Sequence, residues 1–382
     1  MKQSICLIAE SLDRGRGGAE RYLADLSEYV RRAGHPVRAY VRRPSQSGVA
    51  SGLQIEVVRT GRGPGLLREW EFVWRMRQHL AGTQSVVLST LPLPIAPVTH
   101  YLAPAGLYRV GFEAERASFE PGLRRQLYRY ANRLNLRRRW LMIQQEQLLR
   151  RTPPPRVLTF SFALRKQILE RFPAAAASLV VLPPGVSLSC FRPGECSRRD
   201  RSGDRLVLLF VGHNFRLKGL HCLLWALHAA MQRGLEAEVW VTSSGRRRAF
   251  ERLADRLGIA ARVRFLGAVT DGELGELYRC ADALVHPTFA DHCSLAVLEA
   301  LASGLPVITT SLDGAAELME AGRHGFVVQA PRDLEALTRA LLQLQDRQRL
   351  AAMHAAAVDL RARLDFDEHA RQVLAWLTAE SP

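Results

Sequence analysis

Two acidic residues, Asp291 and Glu299, have seven residues between them in the chain. The apolar run at 283–285 predicts a short buried strand, and Ser294 occupies an N-cap position, so a helix is predicted from Leu295. Asp291 then lies in a loop and Glu299 within a helix, and both can face a ligand at the strand ends of an open α/β sheet. The simpler alternative is an ordinary strand–helix–strand unit with two solvated acids.

The start of this helix offers a second kind of chemistry. Backbone N–H groups at a helix N-terminus suit a phosphate group. The groups concerned belong to Cys293, Ser294 and Leu295.

The rest of the chain indicates how these residues are positioned. Strands alternate with helices through both halves, which predicts parallel, doubly wound sheets. The first strand, at 4–10, is followed by glycines that include Gly17 and Gly18 and then by a helix from about residue 19. A strand–glycine–helix connection lets the backbone approach a ligand closely, although a plain tight turn explains it equally well. With 382 residues, the chain fits two domains.

These segments resemble the family 4 glycosyltransferases, retaining sugar transferases with the GT-B fold. That family usually carries Glu-x7-Glu followed by Ala-x-Ala-x-Gly-x-Pro-Val. Here the first acid is Asp291, and the matching residues after Glu299 are Ala300, Ala302, Gly304, Pro306 and Val307. The family's glycine entry matches Gly17-Gly18-Ala19-Glu20-Arg21, and its Lys-Gly pair matches Lys218-Gly219.

The resemblance implies the domain organisation. Two Rossmann-like α/β domains are expected to face each other across a cleft. Residues 1–186 would form the acceptor-binding domain, with the C-terminal helix 366–382 packing back on it. Residues 187–365 would bind the nucleotide-sugar, and the polar stretch 192–204 is predicted to be a linker.

The resemblance also implies roles for individual residues. Glu299 would accept hydrogen bonds from the ribose hydroxyls, and Asp291 from the hydroxyls of the donor hexose. Lys218 would stabilise the charge that develops on the leaving diphosphate. The catalytic candidates are Asp291, Lys218 and His100, the last predicted in a proline-rich loop; the substrate-binding candidates are Gly17, Gly18, Arg216, His213, Cys293, Ser294, Leu295 and Glu299.

The implied activity is retaining transfer of a hexose, with UDP-glucose as donor, to a saccharide or glycolipid acceptor. The order of the segments is most similar to the lipopolysaccharide core glucosyltransferase type. No cofactor or metal is expected, because Lys218 can neutralise the diphosphate. The Asp365-Phe366-Asp367 sequence is predicted to open the last helix rather than bind metal. A GT-B epimerase or phosphorylase, or a non-catalytic protein that binds anionic surfaces, remains an alternative.

Charge adds one further candidate partner. The formal net charge is +16, which favours an anionic partner, and no nucleic-acid-binding motif is present. Residues 121–151 are predicted to form a very basic helix with leucine and aromatic anchors, which suits an anionic membrane. A helix that faces the core and solvates its arginines is an equally good interpretation. Its arginines are Arg124, Arg125, Arg129, Arg133, Arg137, Arg138, Arg139, Arg150 and Arg151.

The compartment is predicted from what the sequence lacks. It has no apolar run of about 18 residues that would span a membrane and no signal-peptide layout at its start. Its six cysteines contain no CxxC pair, so reduced thiols are expected. These features predict a cytoplasmic protein, with contact to the inner face of the cell membrane if the basic helix binds lipid.

Overall fold

The computed structural model describes residues 2–45, 52–95, 97–103, 106–197, 205–242 and 245–379. The chain forms two compact units. Unit 1 comprises Met1–Arg116, Glu120–Pro183 and Asp367–Pro382, and unit 2 comprises Ala117–Phe119 and Pro184–Phe366. The predicted linker at 192–204 lies in unit 2 as far as residue 197, and its last residues fall outside the described ranges.

The described residues of unit 1 form a parallel sheet of seven strands. The strands are β1 (Ile5–Ala9), β2 (Val37–Val41), β3 (Gln54–Val57), β4 (Val86–Ser89), β5 (His100–Leu102), β6 (Arg156–Thr159) and β7 (Leu179–Val181). Their order is β3-β2-β1-β4-β5-β6-β7, so β1 pairs with β2 on one side and β4 on the other. The strand order therefore reverses its direction between β1 and β4, and open α/β sheets bind ligands in the crevice at such a point.

Helices cover the sheet of unit 1, which explains why its central strands are continuous apolar runs. Every residue of β1 and β4 is buried. The helices of this part of the chain are α1 (Gly18–Arg32), α2 (Gly65–His79), α3 (Tyr108–Ala117), α4 (Leu123–Leu134), α5 (Leu136–Leu149) and α6 (Phe162–Arg171).

In the part of unit 2 that the structure describes, the same plan is repeated with six parallel strands. They are β8 (Leu206–Val211), β9 (Ala237–Thr242), β10 (Val263–Gly267), β11 (Ala283–His286), β12 (Val307–Thr310) and β13 (Gly325–Val328). The order β10-β9-β8-β11-β12-β13 places the reversal between β8 and β11. The prediction of parallel, doubly wound sheets is therefore confirmed in both units.

The helices that follow in the chain complete the layers around this second sheet, and the last one joins unit 1. They are α7 (Leu220–Met231), α8 (Arg248–Arg256), α9 (Asp271–Cys280), α10 (Leu295–Ala302), α11 (Leu334–Gln343), α12 (Arg347–Asp359) and α13 (Phe366–Thr378). Within unit 1, α13 packs Trp376 edge-on against His100, with 4.6 Å between the ring centroids. No helix among the described residues is long and apolar enough to cross a membrane.

The predicted single basic helix at 121–151 is wrong. The segment forms two helices, α4 and α5, that meet at Asn135. Asn135 leaves the helical conformation, and its side-chain oxygen accepts a hydrogen bond from the backbone N–H of Arg138 at 3.1 Å. An asparagine competes for local backbone bonds in this way and favours helix starts over helix interiors.

The expectation that all six cysteines are reduced is also wrong. Cys196 and Cys280 form a disulfide within unit 2, and the other four cysteines are free thiols. The bonded residues are 84 positions apart, so no local sequence pattern announces the bond. It ties the segment before residue 198 to the end of α9.

Candidate active site

The candidate site of unit 2 is built on the loop between β11 and α10, which carries Asp291. Its backbone is held on both sides: the N–H of Asp291 donates to the Leu312 carbonyl at 3.0 Å, and its carbonyl accepts from the Gly314 N–H at 2.9 Å. These bonds form a parallel bridge with the segment after β12. A loop residue is thereby placed as firmly as a strand residue.

The Asp291 side chain pairs with the ammonium group of Lys218. Its Oδ2 also lies 3.4 Å from Nε2 of His286, the last residue of β11. Burial disfavours the ionised carboxylate, but the charge of Lys218 and the bond with His286 outweigh it and hold the pKa of Asp291 well below its ordinary range. The structure therefore joins two of the predicted catalytic residues in one ionised pair.

A tight turn brings Lys218 to this loop. Gly219 has a φ of +80°, and a Cβ at this position would lie 1.9 Å from the Pro287 carbonyl oxygen. Only glycine fits so close to another backbone. The Leu217 carbonyl accepts a hydrogen bond from the Phe289 N–H at 2.8 Å, which fastens the turn to the Asp291 loop.

Asp313, three residues after β12, is a site residue that the sequence analysis did not identify. Its side chain is buried, with 1% of its surface exposed. Burial and the neighbouring charge of Asp291 raise the pKa of Asp313 to about 6. A signal existed: β11 and β12 are adjacent parallel strands, so acidic residues that follow them meet at one edge of the sheet. The same signal applied to His286.

Helix α10 begins where it was predicted, with Ser294 at the N-cap position, but the hydrogen bonds of Ser294 differ from the prediction. The Ser294 side chain does not cap the helix; its Oγ lies 3.3 Å from Nε2 of His286. The Ser294 N–H, predicted to bind phosphate, donates to Asp313 Oδ1 at 3.1 Å. Leu295 is the first helical residue. Cys293 is buried, and burial raises the pKa of its thiol well above the ordinary value.

Glu299 lies inside α10 and is almost completely buried, with 2% exposed. Its Oε2 accepts a hydrogen bond from the Tyr278 hydroxyl at 2.9 Å. Tyr278 belongs to α9, so two helices fix the carboxylate. Tyr278 was not among the predicted site residues.

The remaining cations predicted for the diphosphate lie in the turn after β8. His213 is exposed at the start of this turn. The Arg216 guanidinium lies over the Phe119 ring, 4.7 Å from its centroid. Their role toward a ligand stays a prediction.

The predicted residues of unit 1 divide into two cases. Gly18 begins α1 and Gly17 precedes it with extended backbone, after the carboxyl end of β1. The placement of His100 in a loop was wrong, because it is the first residue of β5. It therefore lies at the amino edge of a parallel sheet, packed against Trp376, and burial lowers the pKa of His100 to about 4. This placement gives a core residue and does not support the predicted catalytic role.

Comparison with known families agrees with this layout. The family model described as Glycosyltransferase Family 4 matches residues 16–189, and the model described as Glycosyl transferases group 1 matches residues 205–347. The chain belongs to the family 4 glycosyltransferases. The predicted resemblance is thus confirmed in both halves of this family member.

Individual relatives are similar to this chain over only part of its length. A D-inositol 3-phosphate glycosyltransferase of Actinosynnema mirum is 35% identical over 202 residues, which are 48% of this chain and 48% of the relative. One from Corynebacterium urealyticum is 32% identical over 222 residues, 54% of this chain and 52% of the relative. The glycosyltransferase chain therefore spans about half the length of the curated relatives that it matches.

Solved structures confirm the GT-B fold. The crystal structure of WaaG, a glycosyltransferase involved in lipopolysaccharide biosynthesis, has a TM-score of 0.81 at 20% identity and covers 98% of this chain and 100% of its own. Anabaena Alr3699/HepE, solved with UDP and glucose, has a TM-score of 0.75 at 17% identity and covers 99% of this chain and 100% of its own. At these identities the likeness shows the fold alone.

Proposed function

We propose that this protein is a retaining hexosyltransferase that moves a sugar, glucose by preference, from a UDP-sugar to a saccharide or glycolipid acceptor. The observation that carries the proposal is the ionised Lys218–Asp291 pair at the carboxyl edge of the unit 2 sheet, the edge where such sheets bind ligands. The donor is supported by a protein of the same fold that was solved with UDP and glucose.

Each charged group of the pair has a task in the reaction. When the glycosidic bond breaks, negative charge develops on the leaving diphosphate, and a cation held beside it stabilises the transition state. Lys218 supplies that cation. Asp291 accepts hydrogen bonds from hydroxyl groups of the hexose. Before the donor binds, each group neutralises the other, so neither charge is left buried alone.

Glu299 anchors the nucleotide in this proposal. Its carboxylate accepts hydrogen bonds from the ribose hydroxyls, and the Tyr278 hydroxyl, which donates to Oε2, fixes its orientation. In this proposal no protein side chain has to act as the base for the acceptor hydroxyl. The diphosphate oxygen that leaves the sugar takes the proton of the acceptor hydroxyl as the new bond forms on the same face.

The experiment compares donors and then removes the cation. UDP-, GDP- and ADP-sugars are screened by thermal shift, since a ligand that binds only the folded state raises its stability. Transfer of the labelled sugar is then measured with saccharide, glycolipid and inositol phosphate acceptors. Lys218→Ala should lower turnover about 10²-fold, and Lys166→Ala, which removes an exposed lysine of α6, is the matched control.

The result also separates the alternatives. Near-normal turnover in Lys218→Ala would place the diphosphate elsewhere. Conversion of the nucleotide-sugar without transfer would indicate an epimerase. Release of glucose 1-phosphate that depends on added phosphate would indicate a phosphorylase. A chain that binds no nucleotide-sugar would be a non-catalytic protein.

A membrane partner is supported by the orientation of α4. Its apolar stripe does not face the core, contrary to the alternative interpretation of the sequence. Leu123, Leu127, Tyr130 and Leu134 follow helical spacing and are all more than half exposed. Partly buried residues of the opposite face, Arg125, Tyr128 and Asn132, include polar side chains. The helix is thus amphipathic with its apolar side outward, as in helices that lie in a bilayer interface.

Helix α2 carries a second set of exposed apolar residues. On α2, Leu67, Trp70 and Trp74 are exposed at helical spacing, and Trp is favoured at the boundary between lipid and water. Not every arginine is available to lipid: Arg137 pairs with Glu69, and Arg138 pairs with Glu115. Exposed Arg129 and Arg139 are the better candidates for anionic headgroups.

Vesicle sedimentation tests the membrane partner. Leu127→Gln combined with Leu134→Gln should weaken binding to phosphatidylglycerol vesicles at least 10-fold, because each leucine loses roughly 1.5–3 kcal/mol of burial. Phe162→Gln, on exposed Phe162 of α6, is the control. Binding should also fall with salt, because exposed charges are screened. Equal binding by the double variant, or a dimer that only the double variant loses, would refute a lipid partner.

A further inference from the structure

Asp313 accepts hydrogen bonds from three residues of unit 2, two in its own segment and one at the start of α10. Oδ1 accepts from the N–H of Ser294 at 3.1 Å and from the N–H of Ala315 at 3.0 Å. Oδ2 accepts from the Thr309 hydroxyl at 3.0 Å. A buried carboxylate with donors on both oxygens is held in one position, because each bond restricts its rotation.

These bonds are part of a hydrogen-bond network that reaches Asp291 of the Lys218–Asp291 pair. The Thr309 hydroxyl lies 3.0 Å from the His286 carbonyl as well as from Asp313. Ser294, held by its N–H, places its Oγ 3.3 Å from Nε2 of His286. The same Nε2 faces Asp291 Oδ2. Asp313 thus orients the imidazole ring and the loop that together surround the Asp291 carboxylate.

The backbone next to Asp313 completes the connection. Its two chain neighbours, Leu312 and Gly314, make the bonds that hold Asp291 by its own N–H and carbonyl. A shift of the 312–314 segment must therefore move Asp291. Asp313 is the only member of that segment with an ionisable side chain, and that side chain is buried.

We infer that Asp313 is a positioning residue for the transfer reaction: it fixes the loop from Asp291 to Ser294 and thereby aims the Asp291 carboxylate at the donor sugar. The inference rests on the proposed function for the identity of that sugar. Because Asp313 takes the Ser294 N–H, the diphosphate is left to Lys218 and to groups other than this N–H.

Two substitutions separate position from charge. In Asp313→Asn, Oδ1 can still accept from both N–H groups, and the amide nitrogen can donate to the Thr309 hydroxyl, which then donates to the His286 carbonyl. In Asp313→Ala every bond made by the side chain of residue 313 is lost. Asp282→Asn, at a buried carboxylate that accepts from the Val207 N–H at 2.7 Å, is the control for removing a buried charge elsewhere in unit 2.

The purified full chain is assayed with the sugar donor selected in the thermal-shift screen. Asp313→Ala should lower kcat about 10²-fold, the typical cost of misplacing a catalytic group by about 1 Å, while the Kd for UDP changes less than threefold. Asp313→Asn should recover kcat to within tenfold of the wild type. Unchanged kcat in Asp313→Ala, or an equal loss in both variants, would overturn the inference.

Hydrogen–deuterium exchange gives a readout that does not depend on turnover. Peptides covering 287–298 should exchange at least tenfold faster in Asp313→Ala, and at the wild-type rate in Asp313→Asn and Asp282→Asn. Unchanged exchange in Asp313→Ala would also overturn the inference. If the wild type transfers no sugar, the proposed function fails, while this comparison still decides whether Asp313 holds the loop.

Discussion

Replacing Asp313 by asparagine should stabilise the folded chain, and the gain should depend on pH. The raised pKa of Asp313, about 6 against an ordinary 3.8, means that the folded chain binds this proton more tightly than the unfolded chain. Folding therefore takes up a proton between these values, and the free energy of unfolding falls as pH rises from about 4 to about 6. Above pH 6 the ionised Asp313 lowers the free energy of unfolding by the full amount, about 3 kcal/mol. At pH 5 this loss of stability is about half as large.

Asparagine carries no charge and can bond to the same three residues, with the direction of the bond to Thr309 reversed, so it escapes this cost. For a unit of this size, 1 kcal/mol corresponds to about 2–4 °C in Tm. Scanning calorimetry should therefore show Asp313→Asn melting roughly 6–12 °C above the wild type at pH 8, with about half that difference at pH 5. Asp282→Asn is again the control. A difference that is the same at both pH values, or a variant less stable than the wild type at pH 8, would refute the reasoning.

Three further outcomes are expected. Glu299→Gln should weaken UDP binding by about 1–3 kcal/mol in calorimetric titration, while Asp291→Asn should lower turnover without weakening UDP; equal losses of UDP affinity would contradict this division. Turnover should persist in EDTA, and activity that needs added Mn²⁺ would redirect attention to the 365–367 carboxylates. Thiol titration in denaturant should find four free thiols without reductant and six with it, because Cys196 and Cys280 are bonded; six from the start would exclude the disulfide.

The sequence predicts most of the fold because buried parallel strands are short apolar runs that stand out between amphipathic helices. The prediction from sequence fails where the residue pattern does not show which other elements pack against a segment. The proline-rich stretch before residue 106 predicted only loops, yet three residues from His100 onward pair with β4 and β6. In α4 the amphipathic pattern was recognised, but amphipathicity alone does not tell whether the apolar side meets the core or the outside.

At the site, the sequence identifies the residues that belong to a family motif. It misses those that reach the site only because two strands lie side by side in the sheet. Lys218 and Asp291 lie 73 positions apart, and a family pattern linked them before the structure did. No role at the site was predicted for the contacts of His286 and Asp313 with Asp291 and its loop. Their importance comes from the adjacency of β11 and β12, which a strand order predicted from sequence would have to supply.

The two buried aspartates show opposite environments at the same sheet edge. Lys218 and His286 favour the charge of Asp291, whereas burial and Asp291 itself disfavour the charge of Asp313. A protein selected for stability alone would replace Asp313 by asparagine, which fits the same bonds. If asparagine recovers turnover only in part, the remaining difference measures what the negative charge contributes beside Asp291. A negative charge beside a carboxylate makes it more basic and would make Asp291 a stronger hydrogen-bond acceptor in the proposed reaction, a gain in function set against a loss in stability.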